Sequence, residues 1–144
     1  MYGCQGQPYG VYKNYFLKVG EHGYLHIHDM NDNMKHIKTI AGSSYSIQNR
    51  VYLKVVGNRA YEIHNGCNGH MQIFNLDSFT YEGDKSLSLS ALGYFTYNEL
   101  TNSFYYGSGS NNYKYDLATH TATKLSTTNF QSNQNMVISF GPYV

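Results

Sequence analysis

Two histidines stand one residue apart within the segment Tyr24–His28, which is rich in residues that favour β-strands. Because side chains of a strand alternate between its two faces, His26 and His28 would project from the same face. With His22 or His64 as a further ligand, such a pair could hold a metal ion. Histidine pairs also occupy half-buried strand faces, and we favour that interpretation, because the matching positions of two later repeats carry no histidine.

The other reactive side chains form no recognised catalytic or cofactor motif. Cys67 lies close in sequence to His64 and His70, but nothing supplies the orienting third group or the oxyanion site that a cysteine nucleophile needs. The glycine-rich stretches 65–70 and 107–112 do not lead into the helix of a phosphate-binding loop, so we predict hairpin turns there. The sequence therefore predicts a protein that is not an enzyme and has no cofactor.

Tyrosine and asparagine provide the remaining candidate binding chemistry. The chain has 16 Tyr and 7 Phe but no Trp, and aromatic rings can stack on sugars while amides bond hydroxyl groups. The candidate binding residues near predicted loops are Tyr24, Tyr81, Tyr106, Tyr113, Asn68, Asn111 and Asn112. For any single tyrosine, packing within a sheet is the competing interpretation, because tyrosine suits a pleated surface.

Charge and composition exclude several classes of function. A formal net charge of +1, with 13% charged residues, offers no basic face for nucleic acid. We expect no secretory signal and no membrane span, which would need roughly 20 apolar residues in a row. Cys4 and Cys67 are too few for a disulfide framework; they can pair once or remain thiols. The location of the protein, a virus particle or the cytoplasm, is left open.

Short strands must position these residues, since no segment has helical spacing and Gly or Asn interrupts the chain at short intervals. Predicted strands are Tyr15–Val19, Tyr24–His28, His36–Ile40, Val51–Val56, Ala60–His64, Met71–Leu76, Leu92–Tyr97, Phe104–Tyr106, Tyr113–Leu117, Ala122–Leu125 and Met136–Phe140. Strands at this spacing are typical of a sandwich, a barrel or a propeller.

An internal repeat distinguishes among these architectures. Three segments begin with a glycine and carry an acid or amide nine positions later; the pairs are Gly20 and Asp29, Gly66 and Asn75, Gly107 and Asp116. We expect each glycine to adopt the positive φ of a tight turn, and each Asp or Asn to bond its own downstream backbone at the next corner. The copies recur at roughly 40–50 residues, which is the period of propeller blades.

This pattern resembles a β-propeller repeat of the broad kelch-like or WD-like kind over about residues 12–140, although the family-specific signatures of both are missing. The resemblance implies an all-β fold in a single domain, 1–144, with three four-stranded antiparallel repeats at about 12–46, 47–88 and 89–130. The three repeats would be half of a six-bladed propeller or part of a larger one, and Met136–Phe140 would be a closing strand. A three-repeat β-prism or barrel is the alternative.

The architecture implies a non-enzymatic interaction or structural module. Three blades are fewer than the roughly 4–8 of a propeller ring, so the expected partner is a second copy, as a homodimer or higher ring, or a larger protein assembly. The composition, rich in Asn and Tyr and poor in charge, suggests a viral or phage particle component. A lectin-like protein that binds glycans is the alternative function.

Overall fold

The computed structural model describes residues 5–43, 50–64, 69–87 and 92–126. Strands β1 to β13 occupy, in chain order, Gln5–Gln7, Tyr9–Tyr12, Tyr15–Val19, Leu25–Asp29, Lys35–Ile40, Arg50–Val56, Arg59–His64, His70–Asn75, Thr80–Ser86, Leu92–Asn98, Ser103–Ser108, Asn111–Asp116 and Thr121–Ser126. Two short 3-10 helices lie at Glu21–Gly23 and Met30–Asp32. The predicted all-β class is confirmed.

The strands form three four-stranded antiparallel sheets, as the repeat predicted. The first sheet has the order β2-β3-β4-β5, the second β6-β7-β8-β9, and the third β10-β11-β12-β13. Strand β1 joins the second sheet by pairing with β6 in parallel. The predicted closing strand Met136–Phe140 lies outside the described residues, as do Cys4 and Cys67.

Three outer strands, β1, β2 and β9, were not predicted from the sequence. Strand β2 follows Pro8 and contains Gly10, and it forms an edge of its sheet, where a missing backbone donor is tolerated. Strand β9 contains Gly83 at a φ of 127° and pairs with β8 across a register shift, so its residue pattern is broken. In β2 and in β9, glycine weakens the residue pattern from which a strand is predicted, although the backbone pairs with the neighbouring strand.

The acid or amide of each repeat ends the third strand of its sheet and starts a turn, as predicted. Asn75 Oδ1 accepts hydrogen bonds from the backbone N–H of Asp77 at 2.9 Å and of Ser78 at 3.0 Å. Asp116 Oδ1 accepts the corresponding bonds at 2.8 and 3.1 Å, and Asp29 Oδ1 accepts one from Asn31 at 2.9 Å. These side chains replace the strand partner that the backbone loses at the corner.

A second bond recurs at these corners and involves asparagines that the sequence analysis did not align. The residue after each corner acid or amide donates its N–H to the carbonyl of an asparagine in the first hairpin. The pairs are Met30 to Asn14 at 2.8 Å, Leu76 to Asn58 at 2.8 Å and Leu117 to Asn102 at 3.2 Å. In all three sheets, the turn after the third strand is therefore hydrogen-bonded in the same way to the turn between the first two strands.

The expectation that the first glycine of each repeat adopts a positive φ is wrong where the structure describes it. Gly20 has an extended φ of −100°, and Gly107 is not among the residues with positive φ. The positive φ falls instead on a later glycine, at Gly23 with 73°, Gly69 with 78° and Gly109 with 62°. Gly66 lies outside the described residues.

Gly20 and Gly107 are needed for close approach of an aromatic side chain. A Cβ atom at Gly20 would overlap the ring of His26, and one at Gly107 would lie 2.8 Å from Tyr94 Cε1. Such contacts are far inside van der Waals distance, so a side chain at either position would force the ring to move. The repeated glycine therefore serves packing rather than turn geometry.

The chain divides into two compact units, Met1–Ser88 with the first two sheets and Leu89–Val144 with the third. In the first unit, apolar side chains from both sheets form one core, which contains Leu17, Val19, Leu25, Ile27, Ile40, Val51, Leu53, Ala60, Phe74 and Leu76. The members from β3 and β4 are two residues apart along each strand, so one face of the first sheet is buried against the second.

Polar contacts at the turns also join these two sheets. Asp77, in the β8–β9 turn, accepts hydrogen bonds from Tyr12 Oη at 2.6 Å and from Asn58 Nδ2 at 3.1 Å. These bonds lower the pKa of Asp77. The rings of Tyr15 and Phe79 meet edge to face with centroids 5.4 Å apart. The β2–β3 hairpin of the first sheet is thus bound to the β8–β9 turn of the second sheet.

A buried carboxyl lies in the middle strand of the second sheet. Glu62 has no exposed surface, and its Oε1 accepts a hydrogen bond from Gln72 Nε2 at 3.0 Å. Gln72 also donates to the Gly23 carbonyl at 3.0 Å and accepts from the Ser43 N–H at 2.6 Å. Burial raises the pKa of Glu62 to about 8, so the side chain is mainly a neutral acid at pH 7.

Replacing Glu62 by glutamine should flatten the dependence of stability on pH. The folded protein holds a proton up to about pH 8 that an unfolded glutamate releases near pH 4.3, so stability falls as the pH rises between these values. We expect Glu62→Gln to remove about 2–4 kcal/mol of this fall, measured by urea unfolding followed by circular dichroism.

The change of stability with pH in the unaltered protein and in Glu62→Gln is best compared between about pH 6.5 and about pH 8. Burial lowers the pKa of His64 to about 4, which makes stability rise with pH at lower values and opposes the effect of Glu62 there. Above about pH 6.5 His64 is mainly neutral in both states. Equal slopes for both proteins in this window would contradict the assignment of a neutral Glu62.

Removing a corner amide should destabilise the fold modestly. Asn75→Ala deletes the oxygen that accepts two backbone N–H groups, and we expect a loss of about 1 kcal/mol in the free energy of unfolding. Asn75→Asp keeps an accepting oxygen and is the control; both variants are measured at about 1 M salt, which screens repulsion between the new carboxylate and Glu82, to which Asn75 Nδ2 donates at 3.5 Å. An alanine variant as stable as the aspartate variant would show that these bonds contribute nothing measurable.

Candidate functional site

The outer face of the first sheet carries the histidine pair singled out in the sequence. Along β4, Leu25 and Ile27 are buried, whereas His26 and His28 are half-buried and lie on the opposite face. In the neighbouring strand β3, the residue paired with His28 is Phe16, and the residue paired with His26 is Lys18. Tyr9 pairs with Lys18 from the edge strand β2. A row of aromatic and basic side chains therefore crosses the sheet.

A β-bulge brings a third histidine to this face. His26 pairs with Thr39 of β5, but the register shifts between Ile27 and His28, so that His28 pairs with His36 and Ile37 is the additional residue. The ring centroids of His28 and His36 are 5.3 Å apart, and those of His26 and His36 are 5.9 Å apart. Sequence reasoning missed His36, because simple alternation puts the wrong residue opposite His28.

One hydroxyl group links two of the three rings. Thr39 Oγ1 lies 2.8 Å from His26 Nδ1 and 2.8 Å from His36 Nε2. A hydroxyl has a single proton, so with both rings neutral it can donate to at most one of the two nitrogens and must accept from the N–H of the other. The third ring has a separate partner, since His28 Nδ1 donates to the Met34 carbonyl at 3.2 Å. In the neutral state, at least one of His26 Nδ1 and His36 Nε2 therefore carries a proton.

These side chains line an open pocket of about 510 Å³, which we call the histidine pocket; its lining includes Tyr9, Phe16, Lys18, His26, His28 and His36. The rings of Tyr9 and Phe16 stack with centroids 6.2 Å apart, and Phe16 lies 6.4 Å from the His28 ring. One wall is thus aromatic and the other is made of imidazoles. Pockets that combine apolar walls with few polar groups are typical of binding sites.

The electrostatics of the histidine pocket favour an anion over a cation. Partial burial lowers the pKa of His26, and the charges of His36, Lys18 and His28 lower it further. Glu21 is the acid among the lining residues. A proton added to His26 therefore meets positive neighbours, and a bound negative group would relieve that repulsion.

Among the described residues, no group of three or more His, Cys, Asp or Glu side chains is arranged to hold a metal ion. Two of the ring nitrogens are bonded to Thr39 instead. Of the further ligands considered for His26 and His28, His22 lies against Tyr24 with centroids 6.2 Å apart, and His64 is buried in the second sheet.

Two of the predicted binding residues lie in the first unit but outside the histidine pocket. Tyr24 is half-buried beside the His22 ring. Tyr81 is also half-buried, packs against Phe74 with centroids 5.5 Å apart, and shares a hydroxyl hydrogen bond with Ser43. Asn68 lies outside the described residues. Tyr81 thus contributes mainly to packing within this unit.

Four more of the predicted residues lie in the third sheet. Tyr106 has no exposed surface and stacks on the half-buried Tyr113 with centroids 5.4 Å apart. Asn112 is buried and accepts a hydrogen bond from Tyr94 Oη at 2.6 Å, while Asn111 is half-buried. Tyr106 and Asn112 are therefore engaged inside the sheet, and the structure brings Tyr106 and Tyr113 together through packing.

Comparison with known proteins identifies an architecture. No family model matches the sequence, and no curated protein matches it. The structure is similar to a chain of a solved structure titled "Crystal Structure of Mitotic Checkpoint Complex", with a TM-score of 0.58 and 18% sequence identity. The match covers 79% of this chain and 35% of that chain, so the present chain spans about a third of its length.

At this level of identity the similarity concerns the fold alone. Together with the three four-stranded antiparallel sheets, it supports a propeller-like architecture without the signatures of a particular repeat family. No helix among the described residues is long and apolar enough to cross a membrane.

The shared hydroxyl of Thr39 can be tested through the protonation of its two ring partners. At about pH 8, ¹⁵N spectra of the neutral rings should show at least one of His26 Nδ1 and His36 Nε2 mainly protonated, because the hydroxyl cannot donate to both. Thr39→Val should average these signals, because both nitrogens lose their partner, whereas Thr39→Ser should preserve them. Unchanged spectra in the valine variant would contradict the bridging role.

Proposed function

We propose that this chain is a non-enzymatic interaction module of the propeller type, which binds a partner protein on the outer face of its first sheet. The observation that carries the proposal is the contrast between the two faces of this sheet. One face is buried against the second sheet through residues such as Leu17 and Ile27, whereas Tyr9 is 49% exposed and Val11 is 53% exposed. Blades of a propeller are ordinarily covered by their neighbours.

The exposed apolar side chains concentrate on this sheet and its turns. Among the described residues, five of the seven large exposed hydrophobic side chains belong to it, namely Tyr9, Val11, Met30, Met34 and Ile37. Tyr9 and Val11 lie two residues apart on β2, and exposed apolar patches are typical of sites that bind other proteins. The histidine pocket lies in the same face and provides a recess for a protruding side chain.

A selection from a displayed random-peptide library tests this function without a known partner. Selected peptides should bind the unaltered protein and lose at least about tenfold in affinity for Val11→Glu, since a charge would enter the apolar face. Leu100→Glu, at a side chain 66% exposed in a turn of the third sheet, is the matched control. Peptides that bind Val11→Glu as tightly as the control would contradict the proposal.

The same function allows assembly with further copies. Two chains of three sheets would supply six, within the roughly 4–8 blades of a ring, and a viral or phage particle would be a larger assembly of this kind. Light scattering separates these forms, because a homodimer would have about twice the mass of the 16.4 kDa chain. A monomer would favour a separate partner protein.

A lectin-like role is the second candidate, and the exposed Tyr9 ring beside Lys18 and the histidines favours it. An aromatic face flanked by hydrogen-bond donors can stack on a sugar ring. A glycan array tests this role with the unaltered protein and Tyr9→Ala. A blank array at high protein concentration would dismiss it, whereas glycan binding that Tyr9→Ala abolishes would favour it over peptide binding.

A further inference from the structure

We propose that the histidine pocket binds a carboxylate of an acidic segment of the partner protein, and that this binding tightens as the pH falls. The inference rests on the proposed function, because it assigns the chemistry of the partner to the same face. It goes beyond that function by naming the group that is recognised and the condition that regulates its binding.

The basic side chains of the pocket come from three neighbouring strands. Lys18 projects from β3, His26 and His28 from β4, and His36 from β5. Opposite charge attracts most strongly where water is partly excluded, and His26 is only half exposed to solvent. A carboxylate among these groups would be held by one permanent cation and by up to three imidazolium ions.

Protonation also supplies hydrogen-bond donors. Neutral His28 carries its proton on Nδ1 and donates this N–H in a hydrogen bond to the Met34 carbonyl. A second N–H, on Nε2, is present only when the ring is charged. When His26 and His36 are both charged, both N–H groups donate to Thr39, and the threonine hydroxyl proton is released to bond another acceptor. Donors to a carboxylate therefore increase in number as the histidines gain protons.

The aromatic wall favours a carboxylate that is attached to an apolar group. Tyr9 and Phe16 form a continuous apolar surface beside the imidazoles. This surface would contact a short apolar stem or a neighbouring apolar side chain of the partner. The pocket therefore fits an acidic residue within an apolar segment better than a small, fully hydrated anion.

The remaining charged groups near the pocket do not cancel its positive character. Glu21 lines one side and offsets a single charge. Asp29, at the end of β4, has its carboxylate bonded by Asn14 Nδ2 and by the Asn31 N–H, and its strand partner is Lys35. The part of the inner face that packs against the second sheet is apolar, and Lys38 lies exposed on the outer strand β5. Each imidazole of the pocket that gains a proton therefore adds to its net positive charge.

Phenylacetate and its neutral amide, phenylacetamide, are probes for this site on the unaltered full chain. Calorimetry and histidine NMR should show phenylacetate binding that shifts the signals of His26, His28 and His36 and is about fivefold or more tighter at about pH 5.5 than at about pH 8. Phenylacetamide should bind weakly at both values. Because these arms use unaltered protein, they do not depend on the folding of a variant.

Two lysine variants locate the binding. Lys18→Met removes the cation but keeps an unbranched stem, and it should weaken phenylacetate binding about fivefold or more. Lys38→Met is the matched control; this residue lies exposed on β5 opposite Ile27, does not line the pocket, and should leave binding unchanged.

Three outcomes would overturn the inference: equal binding of the acid and the amide, phenylacetate affinity that does not change with pH, or equal loss in both lysine variants. These outcomes are distinct from failure of the proposed function. If the binding of displayed peptides still depends on Val11, the proposed interaction role stands without a carboxylate site. If phenylacetate binds as expected but Val11→Glu does not weaken peptide binding, the anion pocket stands and the wider docking face is rejected.

Discussion

The alternation of side chains across the first sheet is the constraint on which the other features of the first unit depend. Leu25 and Ile27 enter the core shared with the second sheet, and this burial directs His26 and His28 to the opposite face. A shift of one residue in the pairing would exchange the two sets and place imidazoles in the core. The hydrophobic contact between the sheets therefore decides where the histidine pocket lies.

Local strand geometry then refines this face. The bulge at Ile37 lets β5 place His36 beside His28, and the absence of a side chain at Gly20 leaves room for the His26 ring. Both features are departures from regular strands, and both act on the same group of rings. A bulge commonly re-aims side chains next to a binding site, and here it completes the imidazole wall.

The first unit contains ionisable groups whose environments shift their pKa values in opposite directions. Glu62 has no exposed surface, and its burial favours the neutral acid. His26 is partly buried, and this burial, followed by its positive neighbours, favours the neutral imidazole. Glu62 bonds to Gln72, whose further hydrogen bond to the Gly23 carbonyl joins the two sheets, so it is part of the framework, whereas His26 faces an open recess that a ligand can enter. Exposure separates the structural group from the candidate binding group.

Residue pattern by itself determined the strand class, the three repeats, the corner turns at Asn75 and its counterparts, and the shared face of His26 and His28. These features depend on residues near one another in the chain. The tertiary structure alone decided that His36 and Tyr9 join the candidate site and that Tyr106 is buried. A bulge, an edge strand and burial by distant segments depend on pairing between remote parts of the chain, which local periodicity does not encode.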